Sequence, residues 1–445
     1  MDTMNPPSYH ELQWHPSLLF QGALALCLMA QPLSAAQFEK FTYYIDNGTS
    51  ITITKYTGSD NDVSIPGTIN GLSVNCIEKE AFSYCTSLTA VTIPASVTSI
   101  GNAFGFCKSL TAITVDAGNP AYCSVDGVLF NKGLTTLIKY PDGKAGRYTI
   151  PTSVTSTGEL AFASCSNLSS VMIPASVISN EFKQFQGCTS LTSIVVDATN
   201  PCYSSNDGVL FDKSQTTLVQ FPKGKAGRYT IPASITSIRS GAFHYCRCLT
   251  SITIPASVTS INIAEFLSCS SLTVITVDSD NPAYSSVDGV LFNKGLTTLV
   301  KYPEGKAESY IIPASVISIR DSAFRNCRSL TSVTIPASVT EIGHSAFNSC
   351  TSLTSAIFMG NALPMYSDVF DQTGSGFTVY YSKDKSGFTS PIWEGYPAVG
   401  LPRDHTNTTA KGPVIIAWIT VGLAVSVILL IAMARKFRMR KLSAG

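Results

Sequence analysis

A short phrase recurs along most of the chain with a period of 22 to 23 residues, and one clear copy covers residues 81–100. Within this copy, Val91 and Ile93 flank the polar Thr92 in the alternation that is typical of a β-strand. One unit of this length cannot bury its apolar side by itself. The repeat therefore predicts a solenoid, in which stacked coils bury their apolar residues against their neighbours.

Cysteines mark the phase of the repeat. Successive members of the set are separated by 22 or 23 residues and by 58 residues in alternation, and every second member is separated by 81 residues once the first is left aside. The set is Cys85, Cys107, Cys165, Cys188, Cys246, Cys269, Cys327 and Cys350. The 81-residue period indicates a larger unit made of two short coils and one insert.

The insert in each 58-residue step has its own constant features. Asp126-Gly127 precedes the apolar run Val128-Leu129-Phe130, and the same dipeptide recurs at Asp207 and Asp288. Asp-Gly before an apolar run predicts a tight turn into a strand, and residues 135–140 predict the returning strand. Each insert also carries an Asn-Pro-x-Tyr phrase, beginning at Asn119, Asn200 and Asn281. This phrase matches an intracellular sorting pattern, but Asn-Pro commonly starts turns and all three copies keep one place in the insert, which favours a turn.

The phrase Leu88-x-x-Val91-x-Ile93-Pro94, followed by Val97-x-x-Ile100 and Ala103-Phe104-x-x-Cys107, closely resembles the BspA-like, Treponema-type leucine-rich repeat. The resemblance covers residues 64–358. It implies a leucine-rich-repeat solenoid that is rich in β-strand, and we expect short helical or 3-10 segments around each Ala-Phe-x-x-Cys. It also implies display at the cell surface and adhesion to proteins or glycans, and it brings no catalytic residues with it.

Both ends of the chain predict membrane targeting. Residues 1–36 contain an apolar run followed by small residues and are interpreted as a signal peptide, although an uncleaved anchor or a later start at Met4 remains open. Residues 413–434 include 21 consecutive residues without a charge, which is long enough for a single C-terminal transmembrane helix. The basic tail, 435–445, then predicts a cytosolic C-terminus at the plasma membrane, with an extracellular ectodomain.

Between these ends the sequence divides into four further segments. Residues 37–63 contain an alternating pair around Asn47-Gly48 and predict a hairpin that caps the solenoid. The repeats follow over residues 64–358. Residues 359–400 are interpreted as the opposite cap, and residues 401–412 as a polar linker to the membrane.

The composition gives little support for enzymatic chemistry. Charged residues make up 13% of the chain and the net charge is +1, so there is no basic field for nucleic acid. The five histidines are scattered, and no serine or cysteine nucleophile recurs with a histidine and a carboxylate. No cofactor or metal site is predicted, and we expect a binding protein and not an enzyme.

The repeat cysteines allow two interpretations. Buried thiols in a core ladder are favoured, since free cysteine packs as a small hydrophobe. Coils about 5 Å apart would also allow disulfides in an oxidising compartment.

The candidate binding residues are threonines between two core positions of a strand, which must point outward. They are Thr92, Thr114, Thr253, Thr276 and Thr334, and we expect one shared ladder of hydroxyls. An equally weighted alternative is that threonine serves only strand propensity. Possible glycosylation acceptors are Asn47, Asn167 and Asn407. The function predicted is adhesion to, or recognition of, extracellular proteins or glycans, and the alternative is a structural spacer of the envelope without a specific ligand.

Overall fold

The computed structural model describes residues 36–178, 185–306 and 308–402. Over this part the chain is a β-solenoid of the leucine-rich-repeat type with 34 short strands. The described residues contain no α-helix. A short 3-10 helix is formed by Ile263–Phe266. The signal peptide and the predicted transmembrane segment, 413–434, lie outside the described residues apart from Ala36. Within the described ranges, no helix is long and apolar enough to cross a membrane.

The N-terminal sheet opens the solenoid. Its strands are β1 (Ala36–Phe38), β2 (Phe41–Asp46), β3 (Ser50–Tyr56), β5 (Thr68–Ile69), β6 (Leu72–Ile77) and β8 (Ser99–Ile100). β2 and β3 form an antiparallel hairpin in the segment predicted to be a cap, and Asn47 and Gly48 adopt positive φ at its turn. β3 pairs in parallel with β6, so that the hairpin leads directly into the stacked coils.

One side of the solenoid consists of parallel strands, which we call the front sheets. They comprise β4 (Asp62–Ser64), β7 (Ala90–Ile93) and β9 (Ala112–Val115); β13 (Gly146–Thr149), β15 (Leu168–Ile173) and β16 (Ser193–Val196); β20 (Gly227–Thr230), β22 (Leu249–Ile254) and β23 (Val274–Val277); and β27 (Glu308–Ile311), β29 (Leu330–Ile335) and β31 (Ser355–Phe358). β7, β15, β22 and β29 each end at the isoleucine before a proline, which has no N–H to continue a strand.

The inserts form three further sheets, each starting with an antiparallel hairpin. They comprise β10 (Tyr122–Val125), β11 (Val128–Asn131), β12 (Thr136–Lys139) and β14 (Ser156–Thr157); β17 (Tyr203–Asn206), β18 (Val209–Asp212), β19 (Thr217–Gln220) and β21 (Ser237–Ile238); and β24 (Tyr284–Val287), β25 (Val290–Asn293), β26 (Thr298–Lys301), β28 (Ser318–Ile319) and β30 (Glu341–Ile342). Asp126 and Gly127 form the first hairpin turn with φ of 50° and 75°.

At the C-terminal end the last front sheet continues through three more strands. They are β32 (Thr378–Ser382), β33 (Ile392–Trp393) and β34 (Tyr396–Leu401). Trp393 is buried here, and its ring packs edge-on against Phe358 at 5.3 Å. These strands run from Thr378 to Leu401, so they lie in the segment 359–400 that was predicted to be the C-terminal cap and extend one residue past it.

A column of aromatic rings runs through the core. Phe162 and Phe185 pack with their ring centroids 5.4 Å apart, and Phe324 and Phe347 at 4.6 Å. The inserts supply their own members of this column, since Tyr140 lies 5.5 Å from Phe162. Ring pairs of this kind add about 0.5–1.5 kcal/mol each beyond the area they bury. The insert is therefore a coil of the solenoid and not a loop attached to it.

The expectation of short helices around Ala-Phe-x-x-Cys is wrong for most coils, where the segment is a turn. In the first copy the N–H groups of Phe82 and Tyr84 donate to Ala103 and Gly105 of the next coil, at 3.0 Å each. Tyr84 also has a φ of 65°, which no helix tolerates in its interior. The backbone thus bonds between coils instead of closing a helical turn.

The Asn-Pro-x-Tyr phrases are turns, as predicted, and their asparagines are fully buried. The side-chain amide of Asn119 donates to the carbonyls of Pro94 and Val97 at 2.8 Å each. Its side-chain oxygen accepts from the N–H groups of Ala121 and Tyr122. Asn200 and Asn281 make the equivalent four bonds. Each asparagine therefore fastens an insert to the preceding coil.

Candidate functional site

The predicted threonines all lie on the outward side of the front sheets. Thr114 and Thr276 are exposed, whereas Thr92, Thr253 and Thr334 are half-buried. The residues on either side of Thr92, Val91 and Ile93, are fully buried. The alternation inferred from the sequence thus positions these side chains as expected.

The threonines do not form one shared ladder. Thr92 pairs with Thr114, and Thr253 pairs with Thr276, but Thr334 lies between Ile311 and Ile357 in another sheet. The reason is the insert. The hairpin of the first insert lies next to β9, where the following front strand would otherwise pair. There the N–H of Ile113 donates to the carbonyl of Gly127 at 2.8 Å. Each insert interrupts the front strands, and the ladder is divided among separate sheets.

Sequence reasoning missed two exposed members of this surface, Thr149 and Thr230. Thr230 pairs with Thr253, which gives a run of three threonines with Thr276. Both missed residues precede an Ile-Pro pair as Thr92 does, so the insert sequence contains the same pattern that located Thr92. The same outward position holds the exposed Met172 and Ile311 in other sheets. We call the run Thr230, Thr253 and Thr276 the threonine surface.

The predicted glycosylation acceptors differ in their surroundings. Asn47 is exposed at the turn of the first hairpin. Asn167 is also exposed, but its amide donates to the carbonyl of Gly143 at 3.2 Å. Asn407 lies outside the described residues.

The repeat cysteines lie in the core as free thiols. Seven of the eight are buried and Cys85 is half-buried. The thiols of Cys107, Cys188 and Cys350 donate to the carbonyls of Phe82, Phe162 and Phe324 at 3.0 Å each. Burial raises the pKa of Cys107 and of Cys246 to about 12. The thiols of Cys107 and Cys246 are therefore protonated near neutral pH and are poor nucleophiles or metal ligands.

Buried charges lie beneath the inserts, and they were not predicted from the sequence. Lys139 and Asp142 form an ion pair at 2.5 Å below the first insert, and Lys301 with Glu304 occupies the equivalent place at 3.8 Å below the third. Burial raises the pKa of Asp142, while the adjacent Lys139 ammonium opposes that rise.

These charges replace backbone bonds that the insert cannot make. In neighbouring short coils a turn N–H donates to the next coil, as Ser164 does to Gln186 at 2.7 Å. Before the first insert, the N–H of Cys107 donates instead to the Asp142 carboxylate at 3.1 Å. The Lys139 ammonium in turn donates to the carbonyl of Ala163 in the following coil. The pair therefore serves the fold.

At the second insert, different side chains bond to the backbone groups of the neighbouring coil. Gln220 replaces the lysine and donates to the carbonyl of Ala242 at 2.9 Å. Lys223 replaces the acid, and its ammonium donates to the carbonyl of Gly241 at 3.2 Å. The acid comes from the next coil, where Glu265 accepts from the N–H groups of Gly241 and Ala242. Burial raises the pKa of Glu265 to about 7 and lowers the pKa of Lys223.

None of these clusters has the composition of a metal centre. Among the described residues, no group of three or more histidine, cysteine, aspartate or glutamate side chains could hold a metal ion.

The stacked coils, the Ile-Pro strand ends and the buried cysteine ladder define a leucine-rich-repeat protein of one particular type. The family model of the BspA type leucine-rich repeat region (6 copies) matches residues 44–135, 144–225, 219–299 and 301–385. The chain belongs to this family.

Three of the solved structures that match this chain come from bacteria. A leucine rich cell surface protein from Faecalibacterium prausnitzii is 22% identical, and the match covers 86% of this chain and 100% of that chain with a TM-score of 0.34. The pneumococcal vaccine antigen PcpA is 18% identical over 83% of this chain and 99% of its own, with a TM-score of 0.37. A leucine-rich repeat protein from Eubacterium ventriosum is 18% identical over 80% and 97%, with a TM-score of 0.38. The comparison with curated proteins gives no match.

Proposed function

We propose that this chain is a cell-surface protein that binds extracellular proteins or glycans and thereby mediates adhesion or recognition, without catalysing a reaction. The observation that carries the proposal is the threonine surface, in which three hydroxyl side chains are held in register on neighbouring parallel strands. A rigid polar surface loses little conformational entropy when it contacts an extended partner.

Two further features support the proposal. The chain belongs to the BspA type, and a solved protein of similar fold is described as a cell surface protein. In addition, the apolar segment 413–434 followed by a basic tail would anchor the chain, with the solenoid outside the cell.

The test uses the full chain displayed on a cell that does not adhere by itself. Binding is measured to matrix proteins, to an array of glycans and to other cells. Replacing Thr230, Thr253 and Thr276 together by lysine should weaken adhesion by roughly tenfold, because three long cations break a flat polar contact.

The control places lysine at Thr155, Thr236 and Thr340, which are exposed as Thr230 and Thr276 are but lie outside the front sheets. The melting transition of both variants should stay close to that of the parent. If the parent chain bound none of these partners, the spacer function would be supported and adhesion rejected. If both triple variants adhered equally well, the contact would lie elsewhere on the solenoid.

A further inference from the structure

A groove crosses the side of the solenoid that carries the turn before each repeat cysteine. Its volume is about 350 Å³, at the small end of the range for ligand sites of about 300–1,000 Å³. Phe106 lines it on the first coil and Tyr245 on the last, and Ser164 and Gly187 lie between them. The groove therefore has an aromatic ring at each end, with small residues between them and the longer side chains of Lys139, Leu160 and Gln186 beside these.

The aromatic residues stand where the backbone disfavours them. The residue before each repeat cysteine has a positive φ in all eight copies. Five copies use residues that are small or suited to this conformation, namely Ser164, Gly187, Ser268, Asn326 and Ser349. A bulky ring in the left-handed region is an outlier that the fold must hold in place.

Core packing does not explain these rings. The side chain of Phe106 is 46% exposed, and that of its neighbour Tyr84 is 68% exposed. The two rings stack at 4.8 Å with an interplanar angle of 5°. At the other end, Tyr245 stacks on His244 at 4.3 Å and lies below the guanidinium of Arg247 at 5.8 Å. Phe106 is thus an exposed ring at one end of the groove, and Tyr245 is a half-buried ring at the other.

The inserts create the length of the groove. The insert coils lack the turn before the cysteine, so each leaves a gap in this side of the solenoid. Five hydrogen-bonded steps lead from the coil of Phe106 to the coil of Tyr245, through Gly143 to Leu110, Tyr140 to Ala161, Ser164 to Gln186, Gly224 to Leu191, and Phe221 to Ala242. At about 4.8 Å per step the groove extends roughly 24 Å, which suits a linear polymer.

The lining favours a glycan over a peptide. An extended peptide usually adds to a free strand edge, but the N–H groups of Ser164, Thr189 and Tyr245 already donate within the solenoid. Recognition must therefore come from ring faces and from side-chain amides and hydroxyls such as Gln186 and Thr189. The flat rings can contact the apolar C–H face of a sugar unit, and the polar side chains can bond to its hydroxyl groups.

The charge of the lining favours an acidic ligand. Lys139 and Arg247 line the groove, and no aspartate or glutamate does so among the described residues. Lys139 is neutralised by Asp142 beneath it, which leaves Arg247 to face an anion. We propose that this groove binds an acidic oligosaccharide, with sugar rings against Phe106 and Tyr245 and a carboxylate at Arg247. The inference deepens the proposed function by assigning a site and a ligand class.

The experiment measures binding of hexagalacturonate and of neutral cellohexaose to the purified full chain by calorimetry. Hexagalacturonate should bind, and added salt should weaken its binding, whereas cellohexaose should bind at least about tenfold more weakly. Phe106→Asn combined with Tyr245→Asn should weaken hexagalacturonate binding by roughly tenfold or more, since aromatic anchors dominate such contacts.

Asparagine is chosen because Asn326 occupies the same turn position, so the fold should be kept. Tyr366→Asn is the control, since Tyr366 is also 46% exposed but does not line the groove. Arg247→Gln should remove the preference for the acidic sugar, so that hexagalacturonate binds about as weakly as cellohexaose. Circular dichroism and the melting transition identify any variant that fails to fold, and the Arg247→Gln result then decides the proposal.

The proposal is overturned if hexagalacturonate does not bind, if an acidic peptide of equal charge binds more tightly, or if the asparagine pair binds like the parent. These outcomes are separate from the proposed function. If the parent chain adhered to cells but did not bind hexagalacturonate, the adhesive role would be retained and the groove rejected. Calorimetric binding without any cell adhesion would do the reverse.

Discussion

Asn119, Asn200 and Asn281 fasten the three inserts to the coils that precede them. Each uses both ends of its amide, which is why asparagine and no apolar residue of similar size suits the position. A buried polar group without a partner costs about 1–3 kcal/mol, so each missing bond at this site carries a separate cost.

Replacing Asn281 by alanine should therefore destabilise the protein by roughly 3 kcal/mol or more, since the carbonyls of Pro255 and Val258 lose a donor. Urea denaturation followed by circular dichroism measures the change. Asp280→Ala, at an exposed neighbouring position, is the control and should change stability by less than about 0.5 kcal/mol. Equal effects of the two substitutions would contradict the role assigned to Asn281.

Glu265 should make stability depend on pH. Burial raises the pKa of its carboxyl from 4.5 to about 7 in the folded chain. Between these values the unfolded chain has released its proton while the folded chain retains it, so rising pH favours unfolding. The free energy of unfolding should fall by up to about 3 kcal/mol as the pH rises through this window, and level off above it.

The measurement compares the parent with Glu265→Gln by urea denaturation from about pH 5 to about pH 8, because the variant lacks this proton. The difference in stability between the two should shift in favour of the variant as the pH rises. Parallel curves would show that Glu265 titrates near its ordinary value. Lys223 faces the same cluster, and burial lowers the pKa of its ammonium, so the Glu265→Gln comparison is needed to isolate the contribution of the carboxyl.

The insert coils show how an element can be added to a solenoid without breaking it. A coil that lacks the usual turn leaves donors and acceptors of its neighbours without backbone partners. Lys139 with Asp142 supplies both an acceptor and a donor from side chains, and Gln220 with Lys223 supplies donors in the second insert. The two residue pairs differ, but both supply hydrogen-bond partners to backbone groups that the insert coil leaves without them.

Removing only the cation should be costly. In Lys139→Met the Asp142 carboxylate would stay buried without its counter-ion, which is expected to destabilise the protein by about 3–5 kcal/mol. Differential scanning calorimetry and urea denaturation measure this, with Lys108→Met, an exposed lysine, as the control. A loss below about 1 kcal/mol would show that the pair contributes little to the fold.

At the scale of the whole molecule, the structure is nearly one-dimensional. Each coil bonds to the coil before and the coil after it, and equivalent residues recur 81 positions apart. Stability should then be close to a sum of terms within coils and between neighbouring coils.

Deleting residues 166–246, one 81-residue unit, should leave a folded and shorter solenoid, because Cys165 would be followed by Arg247 with the phase of the repeat unchanged. The strand signal in circular dichroism should remain, and the urea m-value should fall in proportion to the surface lost. Deleting residues 166–240 breaks the phase and should give an aggregated product. Aggregation of both deletions would contradict the one-dimensional description.

Much of this architecture could be predicted because it is local. The period, the phase set by the cysteines, the Asp-Gly turns and the inward side of each strand depend on residues a few positions apart, and a solenoid repeats them coil after coil. The resemblance to the BspA type rested on the same local phrases, and the family assignment confirmed it.

Other features depend on which coil comes next, and only the tertiary structure decided them. The front threonines are split between sheets because the insert hairpins occupy the intervening places. The Ala-Phe-x-x-Cys segments are turns because their N–H groups bond to the next coil. Phe106 and Tyr245 are 139 positions apart in the chain but line one groove, because two insert coils without turns lie between them. Such relations arise from stacking, and a sequence read one coil at a time does not contain them.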